Sequence, residues 1–117
     1  MKLSEIVRTL EATVLTGTDK LDIEIARCGA SDLMSDVLAG VADGSLLLTG
    51  LTTLQAVRTA SIAGVGAIIF VRGKQPPPEV RDLASEQGLP LLSTPCSMFV
   101  ACGRLHACQL TGLNGNR

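Results

Sequence analysis

The pattern of apolar and polar positions is most regular between residues 45 and 107. Three short, mainly apolar runs at 45–48, 67–71 and 89–92 are predicted to be strands, and the continuously apolar run at 67–71 is typical of a strand buried on both faces of a parallel sheet. Three segments with helical spacing of apolar residues follow them, at 54–63, 79–87 and 98–107. Strands and helices that alternate in this way predict an α/β fold, in which βαβ units build a mainly parallel sheet with flanking helices.

Capping residues support the bounds of these helices. Thr53 and Ser97 each precede a helical segment, where a hydroxyl can accept a hydrogen bond from a backbone N–H. Gly64 and Gly88 each end one, because glycine adopts the left-handed backbone of a helix end without strain. Pro78 suits the first turn of the helix that Gly88 ends.

The first 44 residues have a weaker pattern. Ser4 is placed to cap a short amphipathic helix over 5–11, and a brief strand is expected at 13–15. Apolar residues alternate with acidic ones over 21–25, which predicts a half-buried strand. Ser31 is a suitable N-cap for a further helix, which contains Leu33, Met34, Val37 and Leu38 and ends at Gly40 or Gly44.

We expect a single domain over residues 1–110 and a flexible tail over 111–117. The N-terminus meets a charge at Lys2 and shows no apolar leader. No uncharged run reaches the ~20 residues that span a bilayer. These features predict a cytoplasmic protein without a membrane partner.

The composition argues against a nucleic-acid partner. The chain has two Phe and neither Tyr nor Trp, so it offers few rings on which single-stranded bases could stack. Its formal net charge of −1 lacks the basic surplus that phosphate backbones require. The core is expected to be aliphatic.

Polar residues follow the three strands of the regular region at the points where the strands end. Because the carboxyl ends of parallel strands share one sheet edge, where ligands of open α/β sheets bind, we expect these residues to lie together. Hydroxyls, backbone N–H groups and two cations suit a phosphate or a carboxylate. The candidate anion-binding residues are Thr49, Gly50, Thr52, Thr53, Arg72, Gly73, Lys74, Ser93 and Thr94, which Ser31 and Asp32 join if the preceding turn reaches the same edge.

Helix capping and solvated loop charges are the other interpretation of these residues, since Ser and Thr precede most helices. A phosphoryl-transfer site is not indicated. Gly73-Lys74 is followed by Gln75-Pro76 and lacks the Ser or Thr of a Walker-type loop. The chain also has a single His and no paired carboxylates in an apolar setting, so neither a catalytic residue nor a cofactor is expected.

A second group of chemically active side chains lies near the C-terminal end and consists of Cys96, Cys102, His106 and Cys108. In a helix over 98–107, Cys102 and His106 are four residues apart on one face, a spacing that can bind a metal ion. The cysteines lack the Cys-x-x-Cys pair of structural zinc sites, and thiols packed in the core are the other interpretation. No metal is expected, and a metal- or redox-responsive protein stays an alternative.

Three strand-end segments carry a resemblance to a known family: Leu48-Thr49-Gly50, Val71-Arg72-Gly73-Lys74 and Leu92-Ser93-Thr94-Pro95. Through them, and over Leu3 to about Leu110, the chain resembles the DRTGG-domain family. It is also similar to the N-terminal, non-catalytic domain of bacterial HPr kinase/phosphorylase. The Asp-Arg and Thr-Gly-Gly elements of the family's name are not present as such.

The resemblance implies a regulatory α/β domain that often dimerises and has no activity of its own. Some members are similar to proteins found beside iron hydrogenases or signalling proteins of anaerobes. We therefore expect a regulatory, ligand-sensing domain that binds a nucleotide, a phosphorylated metabolite or a protein partner, and not an enzyme. A pure interaction or scaffold module is the alternative. The expected homodimer forms through the last helix, with Met98, Phe99, Val100 and Leu105 at its surface.

Overall fold

The structure, a computed structural model, describes residues 1–112. Its strands are β1 (Thr13–Thr16), β2 (Arg27–Ala30), β3 (Leu46–Thr49), β4 (Ala67–Phe70), β5 (Leu91–Ser93) and β6 (Thr111–Gly112). They form one sheet in the order β1-β5-β4-β3-β2-β6. All neighbouring strands are parallel except β1 and β5, which are antiparallel. The predicted α/β fold with a mainly parallel sheet is confirmed.

Helices cover both faces of the sheet, and they are α1 (Leu3–Leu10), α2 (Met34–Gly40), α3 (Leu54–Ala63), α4 (Pro78–Glu86) and α5 (Met98–Ala107). The α2, α3 and α4 helices pack over Leu47, Ile68 and Phe70. The α1 and α5 helices pack over Leu48 and Ile69 on the opposite face. Because successive side chains of a strand point to opposite faces, the continuously apolar β3 and β4 contribute to both cores. No helix within residues 1–112 is long and apolar enough to cross a bilayer.

The α3 and α5 helices have the bounds that the sequence predicts. The Thr53 hydroxyl accepts a hydrogen bond from Ala56 N at 3.2 Å, and the Ser97 hydroxyl accepts one from Val100 N at 3.2 Å. Gly64 follows α3 with a φ of +77°, the left-handed conformation expected of a helix end. Both helices are specified by signals close to them in the chain, which explains why their bounds were predictable.

The strand predicted over 21–25 is wrong, and residues 27–30 form β2 instead. The alternating segment runs beside the N-terminus of α1, where Leu3 N donates to Ile23 O at 3.0 Å. It therefore satisfies N–H groups that have no partner inside the helix. The alternation of residues marks a half-buried segment that lies outside the sheet, apart from a single bridge to Lys2.

Two predicted helix caps are also wrong. The α1 helix begins at Leu3, one residue before Ser4, and the Glu5 carboxylate accepts from Lys2 N at 2.9 Å. The α2 helix begins at Met34, and the Ser31 hydroxyl accepts from Leu33 N at 3.0 Å in the turn before it. A short hydroxyl side chain can close a turn as readily as it caps a helix, so its position in the sequence does not decide between the two.

The first two residues of the predicted tail are paired with the sheet. Thr111–Gly112 form β6 beside β2, and Thr111 N donates to Ala26 O at 3.3 Å. A strand of two residues has no periodicity to detect, and its pairing to a distant strand defines it. The rest of the predicted tail, 113–117, lies outside the described residues.

Candidate functional site

The carboxyl ends of β2, β3, β4 and β5 meet at one edge of the sheet, because these four strands are parallel neighbours. We call the residues at these strand ends and in the turns after them the carboxyl-edge rim. They are Asp32, Thr49, Gly50, Thr52, Thr53, Arg72, Gly73, Lys74, Ser93 and Thr94. The structure thus brings the strand-end candidates to a common edge, and the turn after β2 reaches it as well.

Hydrogen bonds converge on Gly50, the residue directly after β3. Asp32 Oδ1 accepts from Gly50 N at 2.6 Å and from the Thr49 hydroxyl at 3.0 Å. Lys74 lies in the loop after β4, and its Nζ donates to Gly50 O at 2.9 Å. One residue, Gly50, therefore links the ends of three strands through its N–H and its C=O.

Three charged side chains surround the position where a Cβ atom of residue 50 would lie. A Cβ atom added there would lie 3.3 Å from Lys74 Nζ, 3.4 Å from Asp32 Oδ2 and 3.5 Å from Arg72 Nη2. The 3.3 Å distance is tight enough that Lys74 Nζ would shift by a few tenths of an ångström, whereas the other two are ordinary van der Waals distances. The absence of a side chain lets three charges approach the same backbone segment.

The charges of the rim are two cations against one carboxylate. The Gly50 N–H, the Thr49 hydroxyl and the positive charges of Lys74 and Arg72 lower the pKa of Asp32, against a smaller opposing effect of burial. Asp32 is therefore ionised at neutral pH, and these three side chains carry a net charge of +1. Asp32 already occupies two of the rim's donors, a role that its place in the sequence did not reveal.

The hydroxyls of β5 are buried and face the protein. The Thr94 hydroxyl donates to Leu10 O at 2.6 Å and accepts from Cys96 N at 3.1 Å. The Ser93 hydroxyl donates to Lys74 O at 2.8 Å. These bonds fasten the end of α1 and the loop after β4 to β5, so both hydroxyls are already used inside the fold.

Other groups of the rim are more open. Arg72 is exposed, and within residues 1–112 its guanidinium has no hydrogen-bond partner. The same is true of the half-buried Thr52 hydroxyl, whereas the Thr53 hydroxyl caps α3. Arg72 and Gly73 both have left-handed backbone, with φ of +58° and +66°. Arginine in that conformation is strained, and such strain is often found at functional sites.

A groove of 380 Å³ lies between α5 and the edge formed by β2 and β6. Its lining residues are Cys28, Gly29, Ala30, Phe99, Cys102, Gly103, Leu105, His106, Leu110, Thr111 and Gly112. Burial, and to a lesser degree the neighbouring Cys102, raises the pKa of Cys28 to about 12. Burial also raises the pKa of Cys102. Both thiols are therefore neutral at physiological pH.

The four predicted cysteine and histidine candidates are not brought together. Cys96 is buried with its sulfur 3.7 Å from Leu10 O, and Cys108 is exposed after the end of α5. Cys102 and His106 line the groove together with Cys28. Within residues 1–112, no three His, Cys, Asp or Glu side chains are placed to hold a metal ion.

The residues expected at a dimer surface of α5 divide into two groups. Phe99 is 87% exposed and Val100 is 41% exposed. Leu105 is only 1% exposed and belongs to the core beneath α5, and Met98 packs partly against the same core. The expectation that Leu105 lies at the surface is wrong, because it falls on the side of α5 that covers the sheet.

The family model of the DRTGG domain matches residues 5–108. The fold is similar to the crystal structure of the CBS and DRTGG domains of the regulatory region of Clostridium perfringens pyrophosphatase, complexed with its activator diadenosine tetraphosphate. The TM-score is 0.75 at 17% identity, and the match covers 89% of this chain and 45% of that chain. No curated protein sequence matches the chain.

Proposed function

The chain belongs to the DRTGG-domain family, and we propose that it is a non-catalytic regulatory domain that binds a small anionic ligand at the carboxyl-edge rim. The ligand is a nucleotide or a phosphorylated metabolite. The observation that carries the proposal is the convergence of Arg72 and Lys74 on Gly50, opposed by the single carboxylate of Asp32. Two cations that meet at the carboxyl edge of a parallel sheet suit a phosphate group.

The open groups of the rim define where the anion binds. Asp32 takes the Gly50 N–H and the Thr49 hydroxyl, so the anion contacts Arg72 and Thr52 instead. It also contacts Lys74 Nζ, which keeps two donors besides its bond to Gly50 O. The left-handed backbone of Arg72 supports this role, because strained backbone is often found at ligand-binding sites.

The similar pyrophosphatase region binds a dinucleotide activator, which favours nucleotides among the small anions. We include a cytoplasmic location in the proposal. The four cysteines are free thiols, as expected in a reducing compartment.

Thermal unfolding with added ligands tests this proposal. A ligand at 100 times its Kd stabilises the fold by about 2.7 kcal/mol, which raises the Tm measurably. We expect such a shift with nucleotides or phosphorylated sugars, and we expect Arg72→Ala to remove it. Arg58→Ala, which removes an exposed arginine of α3 outside the rim, is the matched control and should keep the shift. The absence of a shift with every phosphorylated compound would contradict the proposal.

A second copy of the chain, or a protein partner, is the other candidate, and the exposed Phe99 and Val100 of α5 favour it. Sedimentation velocity over a range of protein concentrations would detect a homodimer. Val100→Asp should dissociate a dimer formed through this surface, because it places a charge in an apolar contact. If this variant sediments like the wild type, the dimer contact does not lie at this surface of α5.

A further inference from the structure

One end of the groove beside α5 lies at the same sheet edge as the carboxyl-edge rim. The α5 helix follows β5 and precedes β6, which is parallel to β2, so it runs opposite to the strands. Its first turn, with Phe99, therefore lies at the carboxyl edge, whereas His106 lies towards the other end. Ala30 lines the groove at the carboxyl end of β2, two residues before Asp32 of the rim.

Hydrogen bonds hold the rim and the start of α5 in fixed positions. Arg72 N donates to Cys96 O at 2.8 Å, and Gly73 N donates to Thr94 O at 2.7 Å. The cationic loop is thereby joined to the segment that leads directly into α5 and Phe99. The rim and the Phe99 end of the groove are therefore held at the same end of the sheet.

The lining of the groove suits a flat, uncharged group. Glycine lines the groove at positions 29, 103 and 112, so no side chain occupies these parts of its walls. A Cβ atom added at Gly103 would meet nothing within 4 Å, so the space beside it is open. The thiols of Cys28 and Cys102 are neutral, and the Phe99 ring is 87% exposed at the mouth. The volume of 380 Å³ lies within the ~300–1,000 Å³ of small-molecule sites.

We infer that this groove holds the base of a nucleotide whose phosphates lie at the carboxyl-edge rim. The inference rests on the proposed function and narrows its ligand from small anions in general to nucleotides. The β4 end, which carries Arg72 and Lys74, is two strands away from the β2 end, or roughly 10 Å at the usual strand spacing. That separation matches the distance between the base and the terminal phosphates of a nucleotide. Phe99 provides the ring on which the base stacks.

Titration calorimetry tests the inference with the four ribonucleoside triphosphates and inorganic tripolyphosphate. At least one nucleotide should bind the wild-type chain ten times or more as tightly as tripolyphosphate, which has no base. Gly103→Leu fills the groove with a good helix former, so it should not unfold α5. We expect it to lower the affinity for that nucleotide to the level of tripolyphosphate and to leave tripolyphosphate binding unchanged. Gly103→Ala is the control for the helix, and Arg72→Ala should weaken both ligands.

The outcomes separate this inference from the proposed function. Equal binding of tripolyphosphate and all nucleotides would overturn the inference and leave the rim as the anion site. A nucleotide preference that survives Gly103→Leu would also overturn it, because the base would then lie elsewhere. If Gly103→Leu changes only self-association, the groove is a contact between copies of the chain. No binding of any of these compounds would contradict the proposed function itself.

Discussion

Thr94 and Thr52 both follow strands at the carboxyl-edge rim, but their hydroxyls have different surroundings. The Thr94 hydroxyl is fully buried and donates to Leu10 O, whereas the Thr52 hydroxyl is half-buried and has no partner within residues 1–112. The two cations differ in the same way, since Lys74 donates to Gly50 O and the Arg72 guanidinium has no hydrogen bond in that part of the chain. The rim therefore has an inner half, with Thr94 and Lys74, whose side chains hydrogen-bond within the fold. Its outer half, with Thr52 and Arg72, is open to a ligand.

This division predicts that substitutions in the inner half lower the stability much more than substitutions in the outer half. A buried hydroxyl that is removed leaves its partners without hydrogen bonds, which costs stability. A hydroxyl that makes no hydrogen bond in the fold can be replaced at little cost, because substitutions away from such contacts rarely change stability by more than about 0.5 kcal/mol. Stability measurements can therefore test the division without knowledge of the ligand.

The largest effect is expected for Thr94→Val. The substitution keeps the shape of the side chain but leaves Leu10 O and Cys96 N without the bonds that Thr94 makes to them. We expect a loss of about 3 kcal/mol in the free energy of unfolding, measured by urea denaturation. Thr52→Val is the matched control and should change it by less than about 0.5 kcal/mol. Similar losses for the two variants would remove the distinction between the inner and outer halves.

The sequence predicts which residues lie together at the rim, but not which of them belong to its inner and outer halves. Residues 49–50, 72–74 and 93–94 were assigned to one edge because parallel strands that follow each other in βαβ units place their carboxyl ends together. Which hydroxyls are buried depends on α1, whose last residue, Leu10, is 84 residues away from Thr94 in the chain. No local pattern reports a contact over that distance.

The same reasoning explains the error at β2. Its residues, Arg27-Cys28-Gly29-Ala30, include none of the β-branched or aromatic types that favour strands, and their pairing with β3 and β6 makes them a strand. The groove was also unpredictable, because it arises from glycines on β2, α5 and β6 that come together only in the fold. By contrast, α3 was predictable from its own cap and its own terminal glycine.

A smaller effect, of opposite sign, is expected for Arg72→Gly. Arg72 has a φ of +58°, a left-handed conformation that costs a residue with a side chain about 1 kcal/mol and costs glycine little. We expect Arg72→Gly to raise the free energy of unfolding by up to about 1 kcal/mol and to abolish the Tm shift with nucleotides. Urea denaturation and ligand-dependent melting of the same sample measure both effects. Arg72→Ala, which keeps a Cβ atom, should lose the ligand response without the gain in stability.

The smallest effect is expected at Asp32, which lies between the two halves because it is exposed and yet hydrogen-bonded. The Gly50 N–H is the main cause of its lowered pKa, so the ionised carboxylate is favoured in the folded state. The stabilisation is fully present above the unfolded pKa of about 3.9 and is lost as the pH falls through the lower folded pKa. Asp32→Asn should therefore be less stable than wild type at pH 7, by less than about 1 kcal/mol because the group is solvated.

The pH dependence of that difference distinguishes a charge effect from a change in packing. Asn keeps an oxygen that can accept from Gly50 N and from the Thr49 hydroxyl, so the substitution removes mainly the negative charge. Urea denaturation between pH 7 and pH 2 should show the difference between wild type and Asp32→Asn shrinking as the acid protonates Asp32. Asp82→Asn, on the exposed side of α4, controls for the change in net charge. A difference that stays constant down to pH 2 would mean that Asp32 supports the rim through its shape and not through its charge.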